Sequence, residues 1–335
     1  VLTKISGLNP ATTFNLMLST IFAFTFTCSF SIVVNLIHFT EQALEKTIIL
    51  KGKKTGFFNK LKLFWNSKSE WIIKVFFALL TAYIITLGGN LHTIYAFTKS
   101  YTPADKAIPV WETFSRKTTT PYWYPNATRF IPYTIHEFPS YSFVVSDLHG
   151  HVLDIPFVLF TIALLLSLVI NNQKIIRREE KLKFKIIPLI ILGLSLAIMY
   201  MTNAWDGLIY FGLSVLVFFY ININKAKSFA KYLLLNTYYL ILLLLLFVAF
   251  SLPFQLTFIP FVSGIGVVRD HSAWWMHLTL WGFFYYCVFG LIIFLSRKYI
   301  LYSSNAVRSL KSLNSNSSRT APQARTIKKP PFGGF

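Results

Sequence analysis

Seven apolar runs separated by polar, mostly basic connections dominate this sequence. Each run is long enough, or nearly so, to cross about 30 Å of hydrocarbon as a helix. Helices are expected because lipid cannot satisfy the open backbone groups of an isolated strand. The pattern therefore predicts an all-α, polytopic integral membrane protein with about seven transmembrane helices. The predicted spans are Ala11–His38, Trp71–Leu87, Ile155–Ile170, Ile186–Met201, Leu208–Ile223, Tyr232–Leu252 and His277–Ser296.

The composition agrees with a membrane protein and excludes an ordinary soluble domain. Hydrophobic residues make up 54% of the chain and charged residues only 13%, whereas about a quarter of a soluble domain is charged. The two cysteines, Cys28 and Cys287, both lie inside predicted spans. This placement argues against a disulfide framework and against a cysteine-based metal site.

The net charge of +20 is a topology signal rather than a sign of nucleic-acid binding. Of the 32 basic residues, 25 fall near alternate connections, which precede the second span and follow the third, fifth and seventh. The positive-inside rule makes these connections cytoplasmic. We therefore predict a multi-pass protein of the cell membrane, with its N-terminus outside the cytoplasm. Membrane lipid is the expected partner of the basic residues, and no nucleic-acid partner is expected.

These assignments divide the chain into a transmembrane domain, residues 1–302, and a tail, residues 303–335. The tail is rich in Ser, Asn, Pro and Lys, which predicts a disordered, basic cytoplasmic segment. Within the transmembrane domain, residues 88–154 form a predicted extracytoplasmic loop. Ionisable groups beside a bilayer are costly unless they are paired or functional, so the polar motifs of this loop are candidates for chemistry.

The first candidate is Asp147-Leu-His149-Gly-His151, just before the third span. One interpretation is a catalytic carboxylate with imidazole partners, or a divalent metal site with oxygen and nitrogen ligands. The other is a polar loop that caps the third helix, with Asp154 as the N-cap and Pro156 after it. The spacing leaves both interpretations open. No nucleotide cofactor is expected, because the chain has no glycine-rich phosphate loop.

The second candidate is Glu137, ten positions before Asp147. It is either a general acid or base or the salt-bridge partner of Arg129. The aromatic residues that precede it form either an interfacial belt or a stacking platform for a sugar ring. They are Trp111, Tyr122, Trp123 and Tyr124.

Two later segments place further polar residues on the same predicted face. Asn203, Trp205 and Asp206 stand between the fourth and fifth spans, where they form either a helix cap or part of a site wall. Arg269 and His271 precede the last span. An arginine at this depth can hold a phosphate or pair with a neighbouring carboxylate.

Taken in order, these motifs resemble the signature of the chlorarchaeal YYY-type family of uncharacterised polytopic membrane proteins of bacteria and archaea. The resemblance rests on the stretch from Arg129 to His151, residues 202–206, residues 261–266 followed by Trp275, and Gly89-Asn90-Leu91.

The sequence also departs from that family. Gly150 stands where a proline is expected, and Gly207 where the family is bulkier. The tyrosine-rich segment that names the family, and the acidic loop before it, are not in this sequence. The resemblance therefore predicts that the chain is a fragment that lacks N-terminal spans.

The resemblance implies an architecture like that of integral-membrane glycosyltransferases that use lipid-phosphate sugars. Their active site faces away from the cytoplasm, and an acidic residue on the first external loop acts as base. The implied partner is a polyprenyl-phosphate sugar, and a divalent metal is an open expectation. The implied roles are acid–base or orienting for Glu137 and Asp147, orienting or metal binding for His149 and His151, phosphate binding for Arg129 and Arg269, and substrate binding for Asn203, Trp205, Asp206 and His271.

Two other functions stay open at this point. A transporter or flippase-like protein would more often carry ionisable groups within the membrane, and the predicted span interiors contain no acidic residue. A non-catalytic assembly protein would need no such groups. The absence of acids from the predicted spans favours an enzyme at the membrane surface.

Overall fold

The computed structural model describes residues 2–51, 68–102, 106–178, 186–223, 228–259, 266–267, 269 and 271–319. Throughout these residues the chain forms α-helices, short 3-10 helices and connecting loops, with no strand. The all-α prediction is confirmed.

Seven of the helices in the described residues are long. They are α2 (Pro10–Lys51), α3 (Lys68–Leu87), α6 (Gly150–Arg178), α7 (Ile186–Thr202), α8 (Ala204–Ile223), α9 (Phe229–Thr257) and α10 (Trp274–Arg319). The short elements are α1 (Leu2–Ser6), α4 (Val110–Ser115), α5 (Pro139–Val144) and the 3-10 helices η1 (Leu91–Phe97) and η2 (Tyr124–Thr128). Each predicted span lies inside one long helix.

Five helices within the described residues are long and apolar enough to cross a membrane: α2, α6, α8, α9 and α10. Helix α3 meets the same criterion only when η1 is counted with it, which gives six. Helix α7 has 17 residues, and at 1.5 Å per residue it is about 25 Å long, a little less than the hydrocarbon thickness. The multi-pass membrane fold is thus confirmed, and the crossing of α7 stays a prediction.

The chain divides into two compact units, each described here by itself. The first comprises residues 1–89 and 125–271, and the second comprises residues 90–124 and 272–335.

The core of the first unit lies among α6, α7, α8 and α9. Helix α7 is the most enclosed of these, because it contacts the other three and has the largest share of buried residues. Gly193 brings α7 close to α9, since a Cβ there would lie 2.6 Å from Leu246 Cβ. The buried apolar residues of α7 are Leu189, Leu192, Leu196, Ala197 and Met199.

Polar side chains also join the helices of this core. Thr161 Oγ1 of α6 lies 2.8 Å from Ser195 Oγ of α7. The Asn222 amide of α8 donates a hydrogen bond to Asn236 Oδ1 of α9 at 2.9 Å. Such bonds hold membrane helices together where lipid offers no alternative partner.

The start of α6, the end of α7 and the start of α8 meet at one end of this core. A side chain at Gly150 would overlap the carbonyl oxygen of Thr202, and a Cβ at Gly207 would lie 2.6 Å from Tyr200 Cβ. Close packing at these two positions therefore explains why the sequence has glycine where the family resemblance predicts a larger residue. The two glycines allow the three helix ends to approach.

Helix α5 lies against the outer helices of the same unit. The Ser140 N–H donates to the Gly88 carbonyl at 3.3 Å, and the Phe143 ring contacts Phe22 of α2 edge to face at 5.1 Å. These contacts fix the loop segment that carries the polar motifs.

The second unit is built around the buried His92 of η1. Its Nε2 lies 2.9 Å from Tyr101 Oη and its Nδ1 lies 3.2 Å from Tyr122 Oη. Its ring also stacks on Tyr95 at 4.5 Å. Both ring nitrogens are thus satisfied within the unit, which is the usual condition of a buried histidine.

Helix α10 continues beyond its apolar part to Arg319. The backbone of residues 303–319 is therefore helical, although the composition predicts disorder there. Extending an existing helix needs no new nucleus, so polar residues can follow an apolar helix at little cost. Residues 320–335, the rest of the predicted tail, lie outside the described residues.

Candidate carboxylate and histidine site

Glu137, Asp147, His149 and His151 lie together at the start of α6. Asp147 Oδ2 is 2.6 Å from His149 Nδ1, and Glu137 Oε2 is 3.4 Å from the same nitrogen. Glu137 Oε2 is also 3.1 Å from His151 Nε2. The structure therefore joins the two candidates that the sequence suggests separately, and we call these four residues the carboxylate–histidine cluster.

Asp147 reaches the cluster because the chain turns sharply after α5. The Val145 N–H donates to the Tyr141 carbonyl at 2.9 Å, and the Asp147 N–H donates to the Ser142 carbonyl at 2.7 Å. Between them Ser146 has a φ of 57°. This left-handed helix end is usually made by glycine, and a serine there costs about 1 kcal/mol. The backbone is therefore strained directly before Asp147.

Glu137 is held from both sides along the chain. Before it, the His136 N–H donates to the Thr128 carbonyl at 2.6 Å, and Thr134 Oγ1 lies 2.7 Å from His136 Nε2. After it, Phe138 is extended and leads into α5. The glutamate thus follows a closed loop and precedes a helix, which limits its movement.

Ser142 supports the cluster from α5. Its side chain is buried, and its Oγ lies 3.3 Å from His151 Nε2, while its carbonyl accepts from Asp147. No motif in the sequence points to this residue. Its relation to Asp147 arises from the left-handed turn and not from a recognisable spacing.

The most exposed member of the cluster is His149. The His149 side chain is 61% exposed, whereas those of Glu137 and Asp147 are 16% and 27% exposed. A ligand can therefore approach past His149 to reach both carboxylates.

Within the described part of the chain, no lysine or arginine forms an ion pair with the cluster. Arg129, the alternative partner considered for Glu137, is exposed and is not within salt-bridge distance of it. The Arg129–Glu137 salt bridge, one of the two interpretations of Glu137, is therefore not formed. The oxygen that would accept it, Oε2, faces the two imidazoles instead.

Asp154 is not the N-cap of α6. The helix begins at Gly150, one turn earlier, because the His149 carbonyl accepts from the N–H groups of Val152 and Leu153, both at 3.1 Å. Asp154 is fully buried in the second turn, and its carboxylate oxygens have no hydrogen-bond partner among the described residues. The nearby Asp206 carboxyl acts on it electrostatically.

This position also corrects the prediction that the spans contain no acidic residue. The apolar stretch of α6 that can cross a membrane begins at Gly150, so Asp154 belongs to it. The sequence pattern placed the boundary at Ile155 because hydropathy alone does not show how far a helix extends into the preceding polar residues.

The second motif lies at the start of α8. The Asn203 carbonyl accepts from the Asp206 and Gly207 N–H groups at 3.1 and 3.3 Å, and the Asn203 amide donates to Asp206 Oδ2 at 2.7 Å. This is the geometry of a helix start, as the cap interpretation expected. Asp206 also acts electrostatically on His151, whereas Trp205 is exposed.

Arg269 and His271 are both exposed. Neither forms a hydrogen bond or ion pair with the cluster among the described residues. Their place in substrate binding therefore rests on the sequence and not on a contact with these four side chains. Residues 261–265 of the segment before them lie outside the described residues.

The aromatic residues of the second unit separate into two kinds. Tyr122 is held against His92, and burial raises the pKa of its phenol to about 12. Trp111 and Trp274 are exposed and stack on each other at 5.7 Å. Tyr122 is thus part of the packing, while the tryptophan pair fits either an interfacial belt or a platform.

Comparison with known proteins gives one positive result. The chain matches the model of the uncharacterised membrane protein family DUF2298 over residues 1–325, and it belongs to that family. No curated protein matches the chain. No solved structure matches it either.

Proposed function

We propose that this member of the DUF2298 family is a membrane glycosyltransferase. It takes a sugar from a polyprenyl-phosphate donor on the extracytoplasmic face and transfers it to a hydroxyl acceptor. The carboxylate–histidine cluster is its reactive centre. Arg129 and Arg269, both exposed, bind the phosphate of the lipid carrier, and Asn203, Trp205, Asp206 and His271 contribute to substrate binding.

The observation that carries the proposal is the position of Glu137 between two imidazoles. Its Oε2 faces His149 and His151 at 3.4 and 3.1 Å, while its side chain stays mostly buried. A carboxylate in such a place can accept a proton, and the imidazole nitrogens beside it can donate hydrogen bonds to it.

The chemistry uses these groups as follows. The acceptor oxygen forms a bond to the anomeric carbon, and the bond from that carbon to the phosphate oxygen breaks with its electron pair. The polyprenyl phosphate leaves with that pair, and the proton of the acceptor hydroxyl passes to Glu137. Asp147, 2.6 Å from His149 Nδ1, orients that imidazole. One proton is thus moved and no redox partner is needed.

The proposal predicts that Glu137→Gln abolishes most of the transfer. The full-length protein is reconstituted in liposomes with radiolabelled mannosyl- or glucosyl-phosphoundecaprenol and a membrane extract as acceptor source. Loss of label from the lipid carrier is then measured. Because the amide cannot take the proton, the rate should fall by a factor of about 100 or more.

Glu112→Gln is the matched control. Glu112 is an exposed glutamate of α4 outside the cluster, so its variant should transfer at nearly the wild-type rate. A folded Glu137→Gln protein with the wild-type rate would remove Glu137 from the mechanism. A wild-type protein that releases no sugar from either donor would contradict the proposed activity.

The burial of the Asp154 carboxyl within α6 favours one alternative function, that of a transporter or flippase-like protein. A buried carboxyl without a hydrogen-bond partner, inside an apolar helix, is the kind of group that substrate and proton pathways use. In liposomes with a fluorescent polyprenyl-phosphate sugar, that function predicts movement of intact lipid between leaflets, and loss of this movement in Asp154→Asn. Label released from the carrier without such movement supports the transferase instead.

A further inference from the structure

We infer that the carboxylate–histidine cluster binds one divalent first-row transition-metal ion through Glu137, Asp147 and His149. The binding itself is independent of the proposed function. Only the catalytic role that we give to the ion below rests on the proposed function.

The spacing of the three ligand atoms suits a metal ion. One oxygen of Glu137, one oxygen of Asp147 and one nitrogen of His149 all lie within 4.8 Å of one another. Ligands bound at about 2.0–2.2 Å stand roughly 3–3.6 Å apart in octahedral or tetrahedral geometry. Of the observed distances to His149 Nδ1, the one from Glu137, 3.4 Å, lies within that range, and the one from Asp147, 2.6 Å, is a little shorter, so a small side-chain movement is enough.

The charge of the cluster also favours a cation. Two carboxylates approach one imidazole nitrogen, and no lysine or arginine of the described residues lies within ion-pair distance of them. This is notable in a chain whose net charge is +20. Two ionised carboxylates held together beside a membrane repel each other and raise the free energy of the folded state unless a positive charge compensates them. A divalent ion supplies that charge.

The types of ligand narrow the choice of ion. Mg²⁺ and Ca²⁺ prefer sites made of oxygen atoms only. A site with one imidazole nitrogen and two carboxylates suits Mn²⁺, Fe²⁺ or Zn²⁺ better. Neither cysteine is among the ligand groups, so a thiolate-selective ion is not expected.

Neighbouring side chains orient the ligands, and one ligand, His149, is exposed. His151 Nε2 lies 3.1 Å from Glu137 Oε2 and 3.3 Å from Ser142 Oγ, and partners of this kind commonly orient a ligating carboxylate. The exposure of His149 leaves room for a further ligand. In the proposed transferase that ligand is the donor phosphate, whose leaving charge the ion would stabilise. Glu137 offers one oxygen to the ion, and its other oxygen would take the acceptor proton.

The test is metal binding by the purified, full-length protein. After removal of metal with EDTA, the protein is titrated with Mn²⁺ and free Mn²⁺ is followed by electron paramagnetic resonance. We expect about one ion per chain for the wild type. We expect binding at least tenfold weaker for Asp147→Asn and for His149→Gln, since even the loss of an outer partner weakens metal sites about 10–100-fold.

Two controls separate ligand loss from misfolding. Glu112→Gln and His277→Gln change exposed residues outside the cluster and should bind Mn²⁺ as the wild type does. Size-exclusion elution and thermal unfolding in detergent identify folded variants, and two separate ligand variants keep the test decisive if one of them does not fold. Wild-type protein that binds no Mn²⁺, or folded Asp147→Asn and His149→Gln variants that bind it normally, would overturn the site.

The same samples distinguish this inference from the proposed function. Stoichiometric binding without sugar transfer keeps the metal site and contradicts the transferase. Transfer that persists at full rate in EDTA, with no bound ion, keeps the transferase and contradicts the role given to the ion, while the Mn²⁺ titration alone decides whether the site binds metal.

Discussion

Ser146 shows how a single residue shapes the cluster. Its positive φ turns the chain so that Asp147 faces His149, and a residue with a Cβ is strained in that conformation. Strain of this kind persists where the surrounding hydrogen bonds hold it, here those of Val145 and Asp147 to α5.

We predict that Ser146→Gly stabilises the protein. Glycine adopts the left-handed region without steric cost, although it also gains entropy in the unfolded chain, so the net gain should be about 0.5–1 kcal/mol. The free energy of unfolding in an SDS titration measures it. Ser140→Gly, inside helix α5, should lose stability instead. Equal effects of the two substitutions would show that Ser146 carries no strain.

At the residue scale the sequence predicts the four members of the cluster but not all of the contacts between them. Asp147, His149 and His151 stand out because ionisable residues are rare near the spans. Their link to Glu137 depends on α5 and the turn after it, which no local pattern contains. Asp154 was assigned to a cap because an aspartate followed by proline suits a helix start. Tertiary contacts at Gly150 let the helix begin earlier.

At the scale of elements, helix pairs in the core are joined by buried amides. Asn222 of α8 and Asn236 of α9 are almost fully buried and bonded to each other. The sequence gives no hint of this pair, since each asparagine falls near a polar connection and looks like a helix end. The long apolar runs, in contrast, predict all seven long helices of the described residues, because a membrane span can be recognised from its length and hydropathy alone.

We predict that the Asn222–Asn236 pair contributes measurable coupling between α8 and α9. In a double-mutant cycle with Asn222→Ala and Asn236→Ala, the coupling energy should be about 0.5–1.5 kcal/mol, as for hydrogen bonds between other membrane helices. SDS titration gives the four free energies of unfolding. Asn35→Ala, an exposed residue bonded only within α2, should change stability little. Strictly additive effects would mean that the amide bond adds nothing.

At the scale of the whole molecule, the direction of insertion decides which compartment the cluster faces. The helices of the first unit place the starts of α6 and α8 and the end of α7 at one end of the core. The basic residues are concentrated near alternate connections, so the positive-inside rule assigns that end to the extracytoplasmic side. The sequence predicts this orientation from the distribution of charge alone.

We therefore predict that loop 88–154 is extracytoplasmic. In a variant with Cys28 and Cys287 replaced by alanine, single cysteines at Thr118 and at Ser228 report on opposite sides, since both positions are exposed. A membrane-impermeant maleimide added to intact cells should label Thr118→Cys at once and Ser228→Cys only after permeabilisation. Ser100 is unsuitable as a reporter, because it is buried.

The opposite labelling pattern would place the cluster in the cytoplasm, where a donor presented on the outer leaflet cannot reach it. The transferase proposal would then fail, whereas metal binding by Glu137, Asp147 and His149 would be unaffected. Labelling of both cysteines only after permeabilisation would have a different cause. It would indicate that α7, only 17 residues long, does not cross the membrane, so that the connections on its two sides share one compartment.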